Sequence, residues 1–265
     1  VVPSGLISVL IPLYNEEAYI AEILSRVMAA ALPTGRALEI VIVDDGSTDR
    51  SADIAEQIRA RHPEFIRLIR NGKNRGKGAA VRAAIEAARG EFCVIQDADL
   101  EYHPREFLKL MAPLIEGSAD VVYGSRFMNS RRPAPYFWHS VANYLLTGLC
   151  NVFSGLELTD ALTGYKAFRT SLVKTVPLGC DGFAIEAELT MKLAKRGARF
   201  VEVAIGYEGR SYRDGKKVGL KDAFETAAVI FYCGAAHPGR SRVSRGFGPA
   251  KSTPQAESLP HLKGR

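Results

Sequence analysis

Four short segments of this 265-residue chain hold residue types that could do chemistry. The sharpest is Gln96-Asp97-Ala98-Asp99-Leu100-Glu101. Its three carboxylates stand at i, i+2 and i+4, and on an extended backbone alternate side chains share one side. Oxygen ligands gathered in this way suit a hard divalent cation such as Mg²⁺ or Mn²⁺. A solvated acidic turn has the same composition; the apolar run directly before the segment argues for more. A second acidic turn, Asp44-Asp45-Gly46-Ser47-Thr48-Asp49, also follows an apolar run. Turn and helix-cap chemistry accounts for Gly46, Ser47 and Thr48. Two adjacent aspartates at the end of a buried strand are harder to explain that way, and such a carboxylate can accept hydrogen bonds from a base N–H or a ribose hydroxyl. Pro12-Leu13-Tyr14-Asn15-Glu16-Glu17 would lie beside this turn, with Tyr14 offering a ring for a base to stack on. Finally, Asn71-Gly72-Lys73-Asn74-Arg75-Gly76-Lys77-Gly78 leads into a helix, and a helix N-terminus favours anions. It is neither a P-loop nor a GxGxxG turn, and alone it reads as a solvated basic loop.

These segments need a frame that brings them together. Ile7–Ile11, Glu39–Val43, Phe65–Ile69, Phe92–Gln96 and Asp120–Tyr123 are short apolar runs that read as buried strands. Between them, Glu16–Ala31, Thr48 or Asp49 through Arg61, Lys77–Ala88 and Pro104–Ile115 read as helices, the last with proline in its first turn. Continuous apolar strands separated by helices predict an α/β fold, a parallel sheet covered on both faces. In such a sheet ligands bind outside the carboxyl ends of the strands, where the acidic turns lie. Further on, His139–Phe153, Ala184–Arg196 and Leu220–Tyr232 read as helices and Arg199–Ile205 as a strand.

The four segments, in this order and spacing, resemble the family 2 glycosyltransferases over roughly residues 6–130. Tyr123-Gly124-Ser125-Arg126-Phe127, Asp160 through Arg169, Gly182 through Leu189, and Tyr207 through Tyr212 followed by Gly215-Lys216-Lys217 extend the likeness to about residue 232. They narrow it to the dolichyl-phosphate mannosyltransferase and polyprenyl-phosphate glycosyltransferase group. The resemblance implies a GT-A fold, a Rossmann-like, mostly parallel sheet with helices on both faces. It implies an inverting, metal-dependent enzyme that moves a hexose from a nucleotide sugar, GDP-mannose or UDP-glucose with a slight lean to the first, to a polyprenyl phosphate. On this basis the residues expected at the donor and phosphates are Pro12, Tyr14, Asn15, Glu16, Asp44, Asp45, Lys77, Asp97, Ala98, Arg210 and Lys216. Asp97, Asp99 and Glu101 are the expected ligands of Mg²⁺ or Mn²⁺, and Asp99, Arg126 and Glu186 the catalytic candidates. Glu186 and Glu188, at i and i+2, would face different ways on a helix, one contacting the sugar or organising the site and one structural. The sequence departs from mannosyltransferase relatives, which often carry glutamine where Glu101 stands, and after Arg126 it carries Arg131-Arg132 and Trp138-His139-Ser140. Two other readings stay open: a family 2 enzyme with a soluble glycan or small-molecule acceptor, and a nucleotide-sugar-binding module without catalysis. Intact Asp97, Asp99 and Arg126 argue against the last.

Composition bounds the rest. Lys and Arg number 35 and Asp and Glu 29, a net charge of +6. From Gly234 to Arg265 there are six basic residues and one acidic, 6 − 1 = +5, so the excess sits at the end of the chain and no nucleic-acid-binding face is expected. Gly, Pro and Ser supply 13 of those last 32 residues, which predicts a basic, disordered tail over 234–265 after a catalytic domain over 1–233. Cys93, Cys150, Cys180 and Cys233 are far apart and fit reduced, buried thiols in a cytoplasmic protein. Val1-Val2-Pro3 carries neither a methionine nor a signal-peptide pattern and reads as a processed end. No run of about 18 apolar residues occurs. An amphipathic stripe of Leu220, Phe224, Ala227, Ala228 and Phe231 would suit peripheral attachment to the membrane, or equally packing on the core or a second subunit.

Overall fold

The computed structural model describes residues 5–128, 137–209 and 219–235. The apolar runs form strands β1 (Leu6–Leu13), β2 (Ala37–Asp44), β3 (Ile66–Arg70), β4 (Phe92–Ile95) and β5 (Val121–Ser125), joined by β6 (Lys166–Arg169) and β7 (Phe200–Ala204). They make one seven-stranded sheet in the order β3-β2-β1-β4-β6-β5-β7. β1 runs parallel to β2 and β4, β2 to β3, and β5 to β7; β6 alone is antiparallel to both its neighbours. The chain winds outward from β1 through β2 to β3, then crosses to β4 on the other side. That reversal opens a crevice at the carboxyl ends of β1 and β4.

Alternation along the strands divides the core. Val9, Ile11, Ile40 and Ile42 face one side, where α1 (Ile20–Met28), α2 (Ser51–Arg61) and α4 (Phe107–Ile115) cover them. Leu10, Val41 and Val43 face the other, beneath α3 (Lys77–Ala87), α5 (Phe137–Ser154), the single turn α6 (Thr170–Val173), α7 (Ile185–Lys195) and α8 (Leu220–Ala235). Each wholly buried aliphatic side chain of this kind contributes about 1.5–3 kcal/mol.

Two local features differ from the sequence expectation, and a third narrows an open choice. The first helix starts at Ile20 rather than Glu16, because Asn15 takes a left-handed φ of 51° and Glu16 O accepts from both Tyr19 N and Ile20 N in a tight turn. Strand β6 is not anticipated: four residues beginning with a lysine carry too little apolar pattern. The stripe on α8 does not pack on the core. Its buried face is Thr226, Ile230 and Cys233, set against α5 and α7, while Leu220, Phe224 and Phe231 are 81%, 75% and 52% exposed. Tyr144, Leu145 and Val152 of α5 are exposed too. Among the described residues no helix is long and apolar enough to cross a membrane.

Candidate active site at the carboxyl ends of the strands

Two loops are laced together beyond β1 and β2. Asn15 N donates to Ser47 Oγ (3.1 Å), Thr48 N to Asn15 Oδ1 (2.8 Å) and Glu16 N to Ser51 Oγ (2.7 Å). The left-handed turn at Asn15 aims this segment back at the acidic turn, so its side chain is spent on architecture. Pro12 sits in β1 opposite Val43, and Tyr14 follows, half-buried. Asp44, at the last position of β2, is buried, with Oδ1 accepting from Ser47 N at 3.2 Å.

Asp45 has a different role from its neighbour. Its Oδ1 accepts from Asn71 Nδ2 (2.8 Å), and its Oδ2 from Arg75 N (3.0 Å) and Gly76 N (2.6 Å). Both oxygens clamp the glycine-rich loop instead of facing a ligand. Gly46 lets that loop close: at φ 74°, a Cβ there would stand 2.6 Å from the Lys73 backbone carbon. Gly76 and Gly78 likewise admit the backbone of Cys180 and Asp181 against the start of α3, which Arg82 ties down by donating to Cys180 O and Asp181 Oδ1.

The loop's clamp delivers Lys77 to the crevice. Its Nζ lies 2.8 and 3.0 Å from the two oxygens of Asp97 and 3.0 Å from Glu186 Oε1. The space exists because residue 164 is glycine, where a Cβ would fall 2.5 Å from Asp97 Oδ2. Glu186 Oε2 in turn accepts from Lys166 Nζ at 2.6 Å. Lys166 is wholly buried, donates also to Thr163 O (2.5 Å) and lies 4.7 Å from the Tyr123 ring centre. Asp97, Lys77, Glu186 and Lys166 thus form a line of alternating charge running into the protein. Burial pulls the Lys77 ammonium down, but Asp97 and Glu186 more than offset this and hold it above its ordinary pKa. For Glu186, burial raises the carboxyl, yet Lys166 and Lys77 keep it below the usual glutamate value. Glu188, two residues on, accepts from Gly179 N (2.9 Å), Cys180 N (2.8 Å) and Lys192 Nζ (2.6 Å) and is structural.

The turn after β4 is not extended. Leu100 has φ 63°, and Asp99 Oδ1 accepts from Glu101 N at 3.1 Å. Asp97 therefore goes to Lys77, while Glu101 Oε2 accepts from Tyr207 Oη at 3.0 Å. Ala98 buries its methyl in the core and offers a ligand only its backbone. Among the described residues no three His, Cys, Asp or Glu side chains gather as a metal would require. A hard cation still fits the chemistry of Asp99 and Glu101, provided anionic oxygens of a bound molecule complete its shell. Asp97 already carries an ammonium group.

Beyond β5, Arg126 is gripped by Asp160. Nε donates to Oδ2 (2.7 Å), Nη2 to Oδ1 (2.8 Å) and the backbone N to Oδ2 (3.1 Å). Asp160 is fully buried, and the guanidinium carbon lies 5.3 Å from the Tyr207 ring and 5.6 Å from that of Phe127. Bidentate charge-assisted pairs of this kind fix an arginine's direction as well as its charge. Arg210 and Lys216, with neighbouring Lys217, lie outside the described residues. Lys166, Asp160 and Tyr207 were not singled out by residue type. A lysine and an aspartate inside otherwise apolar stretches are the signal that could have found the first two.

Comparison with known proteins gives the family and the fold. Residues 8–176 match the model of the family described as Glycosyl transferase family 2. The undecaprenyl-phosphate 4-deoxy-4-formamido-L-arabinose transferase of Pseudomonas aeruginosa is 35% identical over 192 residues, 69% of this chain and 55% of that protein. The dolichol-phosphate mannosyltransferase of Pyrococcus furiosus is 30% identical over 228 residues, 85% of this chain and 62% of that protein. The chain therefore spans somewhat over half the length of these relatives. Among solved structures, glucosyl-3-phosphoglycerate synthase from Mycobacterium tuberculosis, crystallised with Mn²⁺, UDP and glucosyl-3-phosphoglycerate, superposes with a TM-score of 0.65 at 22% identity, over 88% of this chain and 81% of that one. The shared architecture is GT-A.

Proposed function

The chain belongs to glycosyl transferase family 2, in its polyprenyl-phosphate group, and we propose that it moves a hexose, with inversion, from GDP-mannose or UDP-glucose to a polyprenyl phosphate. The observation that carries this reading is the pairing of two sites at one end of the sheet. The acidic turn and the arginine that Asp160 holds meet at Tyr207, whose Oη donates to Glu101 Oε2 and whose ring lies 5.3 Å from the Arg126 guanidinium carbon, so a cation-held diphosphate and a second anion could be received side by side.

Asp44 and the Tyr14 segment take the nucleoside, Asp44 as hydrogen-bond acceptor. Asp45 serves by shaping the loop that presents Lys77. Asp99 and Glu101 would hold Mg²⁺ or Mn²⁺, which would neutralise charge on the leaving diphosphate. Lys77 adds a fixed positive charge beside it, held by Asp97 and Glu186. Arg126, with Arg210 and Lys216, receives the acceptor phosphate. One phosphate oxygen attacks the sugar's anomeric carbon from the face opposite the diphosphate. The carbon–oxygen bond to the acceptor forms as that to the diphosphate breaks. The acceptor is already anionic at neutral pH, so no side chain needs to remove a proton, and the protein acts through position and charge.

A polyprenyl acceptor lives in lipid. The exposed apolar residues of α5 and α8 are the surface we assign to it, with the basic tail attracted to anionic headgroups. Calorimetry with GDP and with UDP, in Mn²⁺ and again in EDTA, tests the donor side. Binding of one nucleotide should weaken at least tenfold in EDTA and in Asp99→Ala. Asp44→Ala should lose about tenfold or more, the cost of one charge-assisted hydrogen bond. Unchanged affinity in all three would remove the basis for the assignment.

A further inference from the structure

Glu202 stands at the third position of β7, in the otherwise apolar run Phe200-Val201-Glu202-Val203-Ala204, opposite Tyr123 of β5. A carboxylate in such a strand normally seeks a cation or solvent. This one reaches backbone instead: Thr159 N donates to Oε2 at 2.7 Å and Asp160 N to Oε1 at 3.0 Å. Its two oxygens span two successive peptide N–H groups, a grip that a carboxylate makes and an amide does not, since one end of the amide is itself a donor. The gripped turn is the one whose next atoms hold Arg126. Ser125 Oγ and Thr159 Oγ1, 2.6 Å apart, tie the same turn to the end of β5, and Asn143 Nδ2 on α5 donates to Asp160 Oδ1 at 3.3 Å.

We propose that Glu202 is a positioning residue for the acceptor site: by holding the Thr159–Asp160 peptide units it fixes the Asp160 carboxylate, and through it the direction in which Arg126 presents its guanidinium. This rests on the reading of Arg126 as the acceptor-phosphate contact. The arrangement is costly if its purpose is only to hold the fold. It puts a second anion, half-buried, near the fully buried Asp160, and burial, with the Asp160 charge adding to it, pushes the Glu202 carboxyl above its ordinary value. A neutral side chain in β7 would avoid that cost. On the donor side Asp97, Lys77 and Glu186 are held by a separate network of ion pairs with Lys166.

The test uses the full chain and farnesyl phosphate as a short acceptor probe, with affinities by calorimetry for it and for GDP and UDP. Glu202→Gln keeps the size and one accepting oxygen. It should weaken farnesyl phosphate about tenfold while nucleotide affinity stays within twofold, and Glu202→Asp, which keeps the charge with a shorter reach, should show the same acceptor-selective loss to a smaller extent. Should Glu202→Gln fail to fold, the aspartate variant decides alone. Equal losses for acceptor and nucleotide, or no loss for either, would overturn the proposal. Arg126→Lys separates it from the reading beneath it. If wild type does not bind farnesyl phosphate, or Arg126→Lys binds it as well as wild type, the acceptor assignment fails. If Arg126→Lys loses binding and the Glu202 variants do not, only the role of Glu202 fails.

Discussion

Lys166→Met probes the inner end of the charge line. Lys166 has no solvent exposure, and its ammonium group is held by Glu186 Oε2 at 2.6 Å and Thr163 O at 2.5 Å, over the Tyr123 ring. Methionine matches the side chain's length and removes its charge. Glu186, 5% exposed, then keeps only Lys77 at 3.0 Å. Removing one partner of a buried pair costs about 3–5 kcal/mol, because the other charge is stranded. Lys77 still neutralises part of it, so the lower end, about 3 kcal/mol, is expected. For a domain of this size about 1 kcal/mol moves the melting temperature by about 2–4 °C, so the fall should be about 6–12 °C at neutral pH. Adding Glu186→Gln removes the stranded charge and should recover half or more of the loss, a coupling that a double-mutant cycle reads directly. The pH dependence has a fixed sign. The folded pKa of Glu186 lies below the ordinary 4.5, so its ionised form contributes stability above that value and loses it as pH falls through the folded pKa. The deficit of Lys166→Met should therefore be full at pH 7 and narrow below about 4.5. A fall of less than about 2 °C at neutral pH, or a double variant no better than the single, would refute the charge-line account.

Two further predictions concern the frame. Asp120, bonded by Arg199 and also by Arg169, is pushed down from 3.8 to about 2, so Asp120→Asn should lose about 1–2 kcal/mol at pH 7, allowing for the half-exposed Arg199; the loss should vanish in urea titrations as pH falls from 3.8 to 2. Gly78→Ala ought to gain about 1 kcal/mol of helix propensity, but its Cβ would fall on the Cys180 carbonyl oxygen, and a net loss of stability with weaker nucleotide binding is expected; a more stable variant with normal binding would show that the 180–182 backbone yields without consequence.

The parallel frame was legible because β1, β2, β4 and β5 are buried on both faces and read as continuous apolar runs, Glu39–Val43 against the observed Ala37–Asp44 being typical. The acidic turns were legible as motifs. Their internal geometry was not: one left-handed residue, Leu100, turns Asp97 and Glu101 toward different partners, and sequence gives no sign of it. The different tasks of Asp44 and Asp45 were also hidden, since adjacent residues in a turn face different surroundings that only the Asn71–Gly76 loop defines. Supporting charges such as Lys166, Asp160 and Glu202 come from strands and turns distant in sequence. Their partners are chosen by the order of β4, β6, β5 and β7, a tertiary fact. The stripe on α8 was read correctly as apolar, while its exposure depended on which other face met α5 and α7.

Transfer of labelled sugar into lipid tests the central claim most directly. The chain is incubated with Mn²⁺, labelled GDP-mannose or UDP-glucose and a polyprenyl phosphate, and the label is partitioned between organic and aqueous phases. The account predicts organic-soluble label from one of the two donors, lost when the lipid phosphate is omitted, when EDTA is added, and in Asp99→Ala. Label that stays in the aqueous phase with every polyprenyl phosphate supplied, while a soluble acceptor is glycosylated, would contradict it.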